Sequence, residues 1–88
     1  MEITDIPRGA CATLTGIDLC IMRVEEVEGQ LWAQLLATHG PHQEVCMLPV
    51  NDPLDLADGG RLTILAIMLS ANEEPVVRVG YEPVQKMS

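Results

Sequence analysis

The sequence is poor in aromatic residues. Its 88 residues include no phenylalanine, one tryptophan and one tyrosine, although 48% of them are hydrophobic. Small-molecule pockets usually have aromatic walls, so the composition favours a tightly packed core of Leu, Ile, Val, Met and Ala over such a pocket. A chain of this length forms one domain and buries only about 60–65% of its unfolded surface, which leaves a thin stability margin.

Basic residues are also scarce. Five Lys and Arg stand against thirteen Asp and Glu, and the formal net charge is −8. This charge opposes non-specific contact with nucleic-acid phosphates and with anionic membranes. The sequence therefore favours a protein partner with a basic surface over nucleic acid. It does not decide whether the protein forms a homodimer.

Long apolar runs and a cysteine framework are missing as well. No stretch approaches the roughly eighteen apolar residues that cross a bilayer, and the start Met1–Asp5 lacks the charged and apolar regions of a signal peptide. The three cysteines are irregularly spaced, which favours reduced thiols over a disulfide framework. We therefore expect a cytoplasmic protein with no membrane segment.

An internal repeat is the main feature that the sequence does contain. Residues 17–35 and 61–79 each have an alternating apolar strand, a polar turn and a returning strand, which is typical of a β-hairpin. Superposition aligns Leu19 with Leu62, Ile21 with Ile64, Val24 with Ile67, and Leu31 with Val76. The sequence predicts one all-β domain over residues 1–88, a small barrel or sandwich of two pseudo-repeated hairpin units at about 8–40 and 45–83.

One segment of the first unit allows a second interpretation. Val24, Val27, Leu31 and Leu35 also have helical spacing, which would make the fold α+β with a helix at about 24–38. Gly29 inside that segment and the parallel with the β-branched residues 76–79 favour a strand. In the second unit, Leu62–Leu69 is apolar on both faces, so we expect a central strand that is covered on both sides.

Three segments of the second unit carry a family resemblance. They are Leu54–Asp58, with the pattern L-x-[IL]-x-D, the alternating strand Leu62–Ile67, and Val77–Pro83, which contains V-R-[IV]-G. In this order they resemble the carbon storage regulator family of bacterial translational regulators. The resemblance implies an intertwined dimer of five-stranded chains, imitated here by two tandem units, and it gives RNA binding as an alternative function.

The RNA-binding residues of that family are poorly matched. Leu48 and Pro49 stand where its opening strand has an arginine pair, and only residues 84–86 represent its late basic strand. Together with the negative net charge, these departures make RNA binding the second choice.

Catalytic and metal-binding patterns are incomplete. His39, His42 and Cys46 have the spacing of zinc ligands, but no fourth ligand is evident. Asp52, Asp55 and Asp58 lack the alternate spacing and the final Glu of a calcium loop. No nucleophile has a base and an orienting acid, and no phosphate-binding loop is present. We therefore expect no enzyme activity, no metal and no cofactor.

Two acidic turns and a tryptophan are the candidate partner-binding residues. Glu25, Glu26 and Glu28 occupy one hairpin turn and Glu73 and Glu74 the other, and a two-fold relation between the units would place these turns at opposite ends. Trp32 belongs to the commonest type of binding hot spot. The sequence predicts a small acidic interaction module that binds and regulates or inhibits another macromolecule, most plausibly a protein, with the composition of some phage-encoded inhibitors.

Overall fold

The computed structural model describes residues 1–56 and 60–83, and these residues form an all-β fold. The strands are β1 (Glu2–Pro7), β2 (Cys11–Leu14), β3 (Ile17–Val27), β4 (Gln30–His39), β5 (His42–Pro49), β6 (Leu54–Asp55), β7 (Arg61–Ser70) and β8 (Glu73–Glu82). They make two antiparallel sheets with the orders β1-β8-β7-β6 and β2-β3-β4-β5. The sheets do not close into a barrel, so the all-β prediction is confirmed in its sandwich form.

The core lies between the two sheets and is almost entirely aliphatic. Alternate residues of the long strands point inward, as period-two patterning predicts. The buried set is Ile6, Ile17, Leu19, Ile21, Ala33, Leu35, Ala37, Leu48, Leu56, Leu62, Ile64, Val77, Val79 and Tyr81. Tyr81 is the one aromatic residue in this set, and Gly60 makes room for it. A Cβ on Gly60 would lie 2.7 Å from the Tyr81 hydroxyl oxygen.

The helix considered for residues 24–38 is wrong. This segment forms the end of β3 and most of β4, and β4 is paired with β3 on one edge and with β5 on the other. Glu28 and Gly29 form the two-residue turn between β3 and β4, with φ angles of 51° and 80°. Positive φ at both central residues is the geometry of a type I′ hairpin turn, which the α-helix cannot contain.

The prediction that Leu62–Leu69 is covered on both sides is also wrong. Leu62 and Ile64 are fully buried, but Leu69 is 58% exposed and Met68 37% exposed. The reason is that, among residues 1–56 and 60–83, no element packs on the outer face of this sheet and β6 pairs with β7 only at Arg61 and Leu62. The apolar run therefore leaves the sandwich halfway along β7.

The two sequence repeats correspond strand by strand. Both β3 and β7 carry a bulge directly after the aligned isoleucine, at Ile21/Arg23 and at Ile64/Ala66. A second bulge at Met68/Ser70 adds a residue to the second hairpin. The sequence alignment of Leu31 with Val76 requires two extra residues, whereas the structure has one, so the register places Trp32, and not Leu31, at the position of Val76.

The first strands of the two units also correspond. β1 ends at Pro7 and β5 at Pro49, and each is followed by a residue with positive φ, Gly9 or Asn51. The Gly9 amide donates to the carbonyl of Ile21, and the Asn51 amide donates to the carbonyl of Ile64, both at 2.8 Å. Each first strand pairs with the last strand of the other unit, β1 with β8 and β5 with β4. The structural repeat therefore spans residues 2–39 and 42–82, and its units exchange their first strands.

The expectation of reduced thiols is wrong for two of the three cysteines. Cys11 on β2 and Cys20 on β3 are direct cross-strand partners with a Cα–Cα distance of 4.0 Å, and a disulfide joins them. The two-residue turn Thr15–Gly16 produces this register, since it pairs Leu14 with Ile17 and, three residues further out, Cys11 with Cys20. Cys46 is the free cysteine.

Two carboxylates on β1 attach that strand to the rest of the molecule. Glu2 accepts hydrogen bonds from the amide and hydroxyl of Thr15, and these bonds lower its pKa. Asp5 accepts a bond from Nε of Arg78 at 2.9 Å, and this bond lowers the pKa of Asp5. A carboxyl group whose pKa is lower in the folded state stabilises the fold above its unfolded pKa, and this contribution is lost as the pH falls through the folded value.

We therefore expect wild type to be more stable than the double variant Glu2→Gln, Asp5→Asn at neutral pH. The difference should shrink as the pH falls below the ordinary values of 4.5 for Glu and 3.8 for Asp. Urea unfolding of both proteins between pH 7 and pH 3 measures it. A difference that stays constant with pH would contradict the role assigned to these two carboxylates.

Candidate protein-binding surface

The two long hairpins extend beyond the strands that flank them. β2 pairs with β3 only as far as Cys20, and among the described residues β6 pairs with β7 only at Arg61 and Leu62. Beyond these points β3 and β7 each have one free edge in the described part of the chain, while β4 stays paired with β5 as far as Trp32 and β8 with β1 as far as Val76. We call residues 22–32 of the first hairpin and 65–76 of the second the arms, and past Trp32 and Val76 each arm is two-stranded. The molecule is correspondingly elongated, with extents of 47 × 22 × 20 Å.

Both arms project from the same end of the sandwich. The turn between β1 and β2 lies between the hairpins, because Arg8 donates its amide to Pro75 and Gly9 donates its amide to Ile21. The other ends of β1 and β2 meet where the Thr15 amide donates to the carboxylate of Glu2. Each hairpin starts beside this contact and runs past the β1–β2 turn. The expectation that the acidic turns lie at opposite ends is therefore wrong.

All six candidate binding residues lie on the arms. Glu25, Glu26, Glu28 and Trp32 belong to the first arm, and Glu73 and Glu74 to the second. The sequence did not show that these residues share one end of the molecule, because the two arms are far apart in the chain and are connected only through the sandwich. The geometry thus gathers the predicted acidic residues into one end of the molecule.

Carboxylates outnumber arginines at this end. Arg23 pairs with Glu25 within the first arm, and Arg8 reaches Glu74 of the second arm at 2.5 Å. Glu26, Glu28 and Glu73 are exposed and form no ion pair with any other described residue. The arms therefore present three carboxylates that have no ion-pair partner among the described residues.

Exposed apolar side chains stand beside these carboxylates, and the sequence interpretation missed them. Met22 and Val27 of the first arm are each 50% exposed, and Met68 and Leu69 of the second arm are 37% and 58% exposed. The bulges change the alternation of both strands and leave these side chains outside the core. A signal was available for the second arm, because Met68 and Leu69 extend the apolar run of β7 almost to the hairpin turn.

Trp32 occupies the outer face of β4, opposite to the face of the buried Ala33 and Leu35. Its cross-strand neighbours are Glu25 on β3 and Pro49 on β5. The side chain is half-buried. Trp32 therefore combines a fixed position with an accessible ring surface next to a carboxylate, which is the setting of an interface anchor.

The histidines lie at the other end of the sandwich. His39 and His42 are cross-strand partners with ring centroids 5.6 Å apart, and His39 is buried with no hydrogen-bond partner for its Nε2 atom in the described part of the chain. Among the described residues, no group of three or more His, Cys, Asp or Glu side chains is arranged to hold a metal ion. Asp58 of the considered calcium pattern and residues 84–86 lie outside the described residues.

Cys46 lies on β5 with a half-buried side chain. Burial, and secondarily the charge of Glu44, raises the pKa of the Cys46 thiol. The group is therefore protonated at neutral pH, which makes it a poor nucleophile. This environment is typical of a packing cysteine.

Comparison with known proteins gives no relative on which to base a function. A scan against protein-family models found no match, and searches of the curated proteins and of the solved structures found none either. In the described part of the chain, no helix has the length and apolar character needed to cross a membrane.

Proposed function

We propose that this protein is a small acidic, non-enzymatic interaction module that binds a basic region of another protein through its arms and thereby regulates or inhibits it. The observation that carries the proposal is the presence, at one end of the sandwich, of unpaired carboxylates beside exposed apolar side chains. Apolar contacts contribute affinity, whereas carboxylates at the rim attract and orient a basic partner.

The ion pairing of the arginines favours a protein partner over nucleic acid. Arg8, Arg23, Arg61 and Arg78 are paired with Glu74, Glu25, Asp55 and Asp5, respectively. Only one of the five basic residues, Lys86, lies outside the described part of the chain. Binding to phosphates depends on Lys and Arg that can neutralise them. In the described residues every such side chain already has a carboxylate partner.

The RNA-binding alternative predicts the opposite result, namely binding to nucleic acid. A regulator of the carbon storage type would bind a GGA-containing RNA hairpin tightly and in a salt-dependent manner. A mobility-shift titration at low salt tests this directly. Binding of that hairpin would replace our proposal with the alternative, whereas absence of a shift leaves the protein-binding proposal in place.

Site-specific photo-crosslinking tests where the partner binds. A photoreactive residue is placed at Val27 on the first arm or, as the matched control, at Val45 on β5, since these two valines are 50% and 59% exposed. In cells that produce the protein, we expect a crosslinked partner from position 27 and none from position 45. Crosslinking from position 45 alone would place the interface elsewhere.

Neutralising the first arm should slow binding of that partner. The triple variant Glu25→Gln, Glu26→Gln, Glu28→Gln is expected to reduce the association rate about tenfold or more at low salt, because steering depends on surface charge. Its dissociation rate and thermal stability should remain close to wild type. Surface plasmon resonance at two salt concentrations measures both rates, and an unchanged, salt-independent association rate would remove the arm carboxylates from the proposal.

Trp32 is expected to affect a different rate from the carboxylates, because the contacts of an interface anchor mainly determine the dissociation rate. Trp32→Ala should raise the dissociation rate by the equivalent of about 2 kcal/mol or more. Leu36→Ala is the matched control, since Leu36 is half-buried on the same outer face of β4 and lies further from the arms. Equal effects of the two substitutions would argue against a special role for Trp32.

A cytoplasmic location is part of the proposal and has a consequence for the cysteines. Disulfides are rare in the reducing cytoplasm, so the oxidation state of Cys11 and Cys20, which a disulfide joins in the structure, tests this location. Alkylation of the protein in lysed cells followed by mass spectrometry counts their free thiols. A fully oxidised pair would indicate an oxidising compartment instead.

A further inference from the structure

The free edge of β3 on the first arm is a binding site that the acidic surface alone does not reveal. We propose that an extended basic segment of the partner adds to the first sheet as a strand, antiparallel or parallel to residues 22–27. This inference rests on the proposed function, since it specifies how the basic partner is held. It makes the partner a flexible chain segment with adjacent basic residues flanked by apolar ones.

The backbone of β3 is open along this edge. Pairing with β2 ends at Cys20, and the last link to the neighbouring chain is the bonding of Ile21 with Gly9 and Ala10. From Arg23 to Val27 the register with β4 is regular, without a further bulge. The arm therefore offers a straight, five-residue template for another strand.

The register also identifies which backbone groups are available. The two-residue turn Glu28–Gly29 makes Val27 and Gln30 a hydrogen-bonded pair. Antiparallel pairs alternate between hydrogen-bonded and non-bonded, so Val24 and Glu26 direct their N–H and C=O groups away from β4. Neither residue has a backbone partner on that side in the described part of the chain. These groups are the donors and acceptors that an added strand uses.

The other open edges are less suited to strand addition. β1 and β5 each end in a proline, Pro7 and Pro49, which protects an edge from pairing. β7, the counterpart of β3, has its second bulge between Met68 and Ser70, so only three residues remain regular. A bulge twists an edge and disfavours added strands. The edge of β3 is thus the longest regular one on the arms.

Charge determines the chemistry of the segment. The edge carries Glu25 on its outer face and Glu26 on its inner face, and Arg23 is paired with Glu25. Carboxylates on an edge strand repel a second acidic strand, including the same edge of another copy, and attract lysine or arginine. Val24 and Val27 provide apolar neighbours on the two faces. The pattern therefore fits a segment with two adjacent basic residues beside Glu25 and Glu26 and apolar residues beside Val24 and Val27.

Amide hydrogen exchange with a defined peptide tests the proposal. The probe is an end-blocked hexapeptide in which two central lysines are flanked on each side by two valines. At about ten times its Kd, the amides of Val24 and Glu26 should exchange about tenfold more slowly, because only the unbound protein exposes them. The amides of Arg23 and Glu25 already bond to β4 and serve as internal controls that should change little.

Two control peptides separate strand addition from attraction by charge. The same hexapeptide with N-methyl groups on alternate residues keeps its charge but loses donors, and it should bind at least about tenfold more weakly. The glutamate–valine hexapeptide should not bind. Binding of the N-methylated peptide as strong as that of the parent, or binding of the parent without protection of Val24 and Glu26, would overturn strand addition while leaving the charge-based function standing. Absence of any binding by the parent peptide would also overturn it.

A pair of variants gives a second test within the protein. Glu26→Gln removes the charge and keeps the outward N–H, whereas Glu26→Pro removes both without taking a hydrogen bond from the β3–β4 ladder. We expect Glu26→Pro to bind the parent peptide at least about tenfold more weakly than Glu26→Gln does, in line with a lost backbone bond. Slow exchange of the Arg23 and Glu25 amides would verify that the proline variant keeps its arm. Equal affinity of the two variants would contradict the proposal.

Discussion

Replacing Ile64 with alanine is expected to lower the free energy of unfolding by about 2–5 kcal/mol. Ile64 is fully buried on the inner face of β7 and pairs across the strand with Val79, which is also fully buried. The two methyl groups and one methylene group that are lost cannot be replaced by neighbours in a core whose strands are fixed by pairing on both sides. A domain of this size has a stability near the low end of about 5–15 kcal/mol, so the loss is a large part of the whole.

Leu69→Ala is the matched control for that prediction. Leu69 lies on the same strand but is 58% exposed, so truncation there should change stability by no more than about 0.5 kcal/mol. Urea and thermal unfolding of the two variants measure the contrast. If Ile64→Ala melted close to wild type, the packing of the two sheets described above would be incorrect.

Loss of the Cys11–Cys20 disulfide is expected to destabilise the protein by about 2–3 kcal/mol, as the chain-entropy relation gives for a bridge with a sequence separation of 9. The bridge fastens the short strand β2 to β3, and β2 in turn covers the inner residues Ile17 and Leu19 from one edge. Without it, four residues of pairing alone must hold this edge of the sandwich. The double variant Cys11→Ser, Cys20→Ser therefore should unfold at a lower urea concentration.

Reduction provides the control for the cysteine variant. Dithiothreitol should lower the stability of wild type to that of the double variant and leave the double variant unchanged. Cys46 should not interfere, since burial raises its pKa and keeps it as the unreactive thiol at neutral pH. A wild-type protein whose unfolding is insensitive to reductant would show that the bridge contributes nothing to stability in solution.

The effects expected at the arms are different in kind from these two. Glu25, Glu26 and Glu28 are partly or fully exposed, so their neutral variants should change binding and leave folding intact. The core and the arms can therefore be altered independently. This separation makes it possible to distinguish a loss of binding caused by unfolding from one caused by a changed surface.

Local sequence patterns determined the strands and their repetition. Alternation of apolar residues identified both long hairpins, and the alignment of Ile21 with Ile64 placed them in correct correspondence, which their shared bulges reflect. The disulfide was also within reach of the sequence, because a two-residue turn at Thr15–Gly16 pairs Cys11 with Cys20. These features depend on residues that are close in the chain, where turn length fixes which side chains meet.

Only the tertiary structure decided how the hairpins are arranged. β1 pairs with β8, and Asp5 meets Arg78 across a separation of 73 residues, although nothing in the residues near Asp5 selects that partner. The same pairing orients both hairpins in one direction and brings the acidic turns to a common end. Such contacts depend on which sheets bury each other's apolar faces, a property of the whole chain that no local pattern encodes. The acidic composition and the acidic turns could therefore be predicted from the sequence. The surface that the two turns share and the open edge of β3 depend on how the sheets pack.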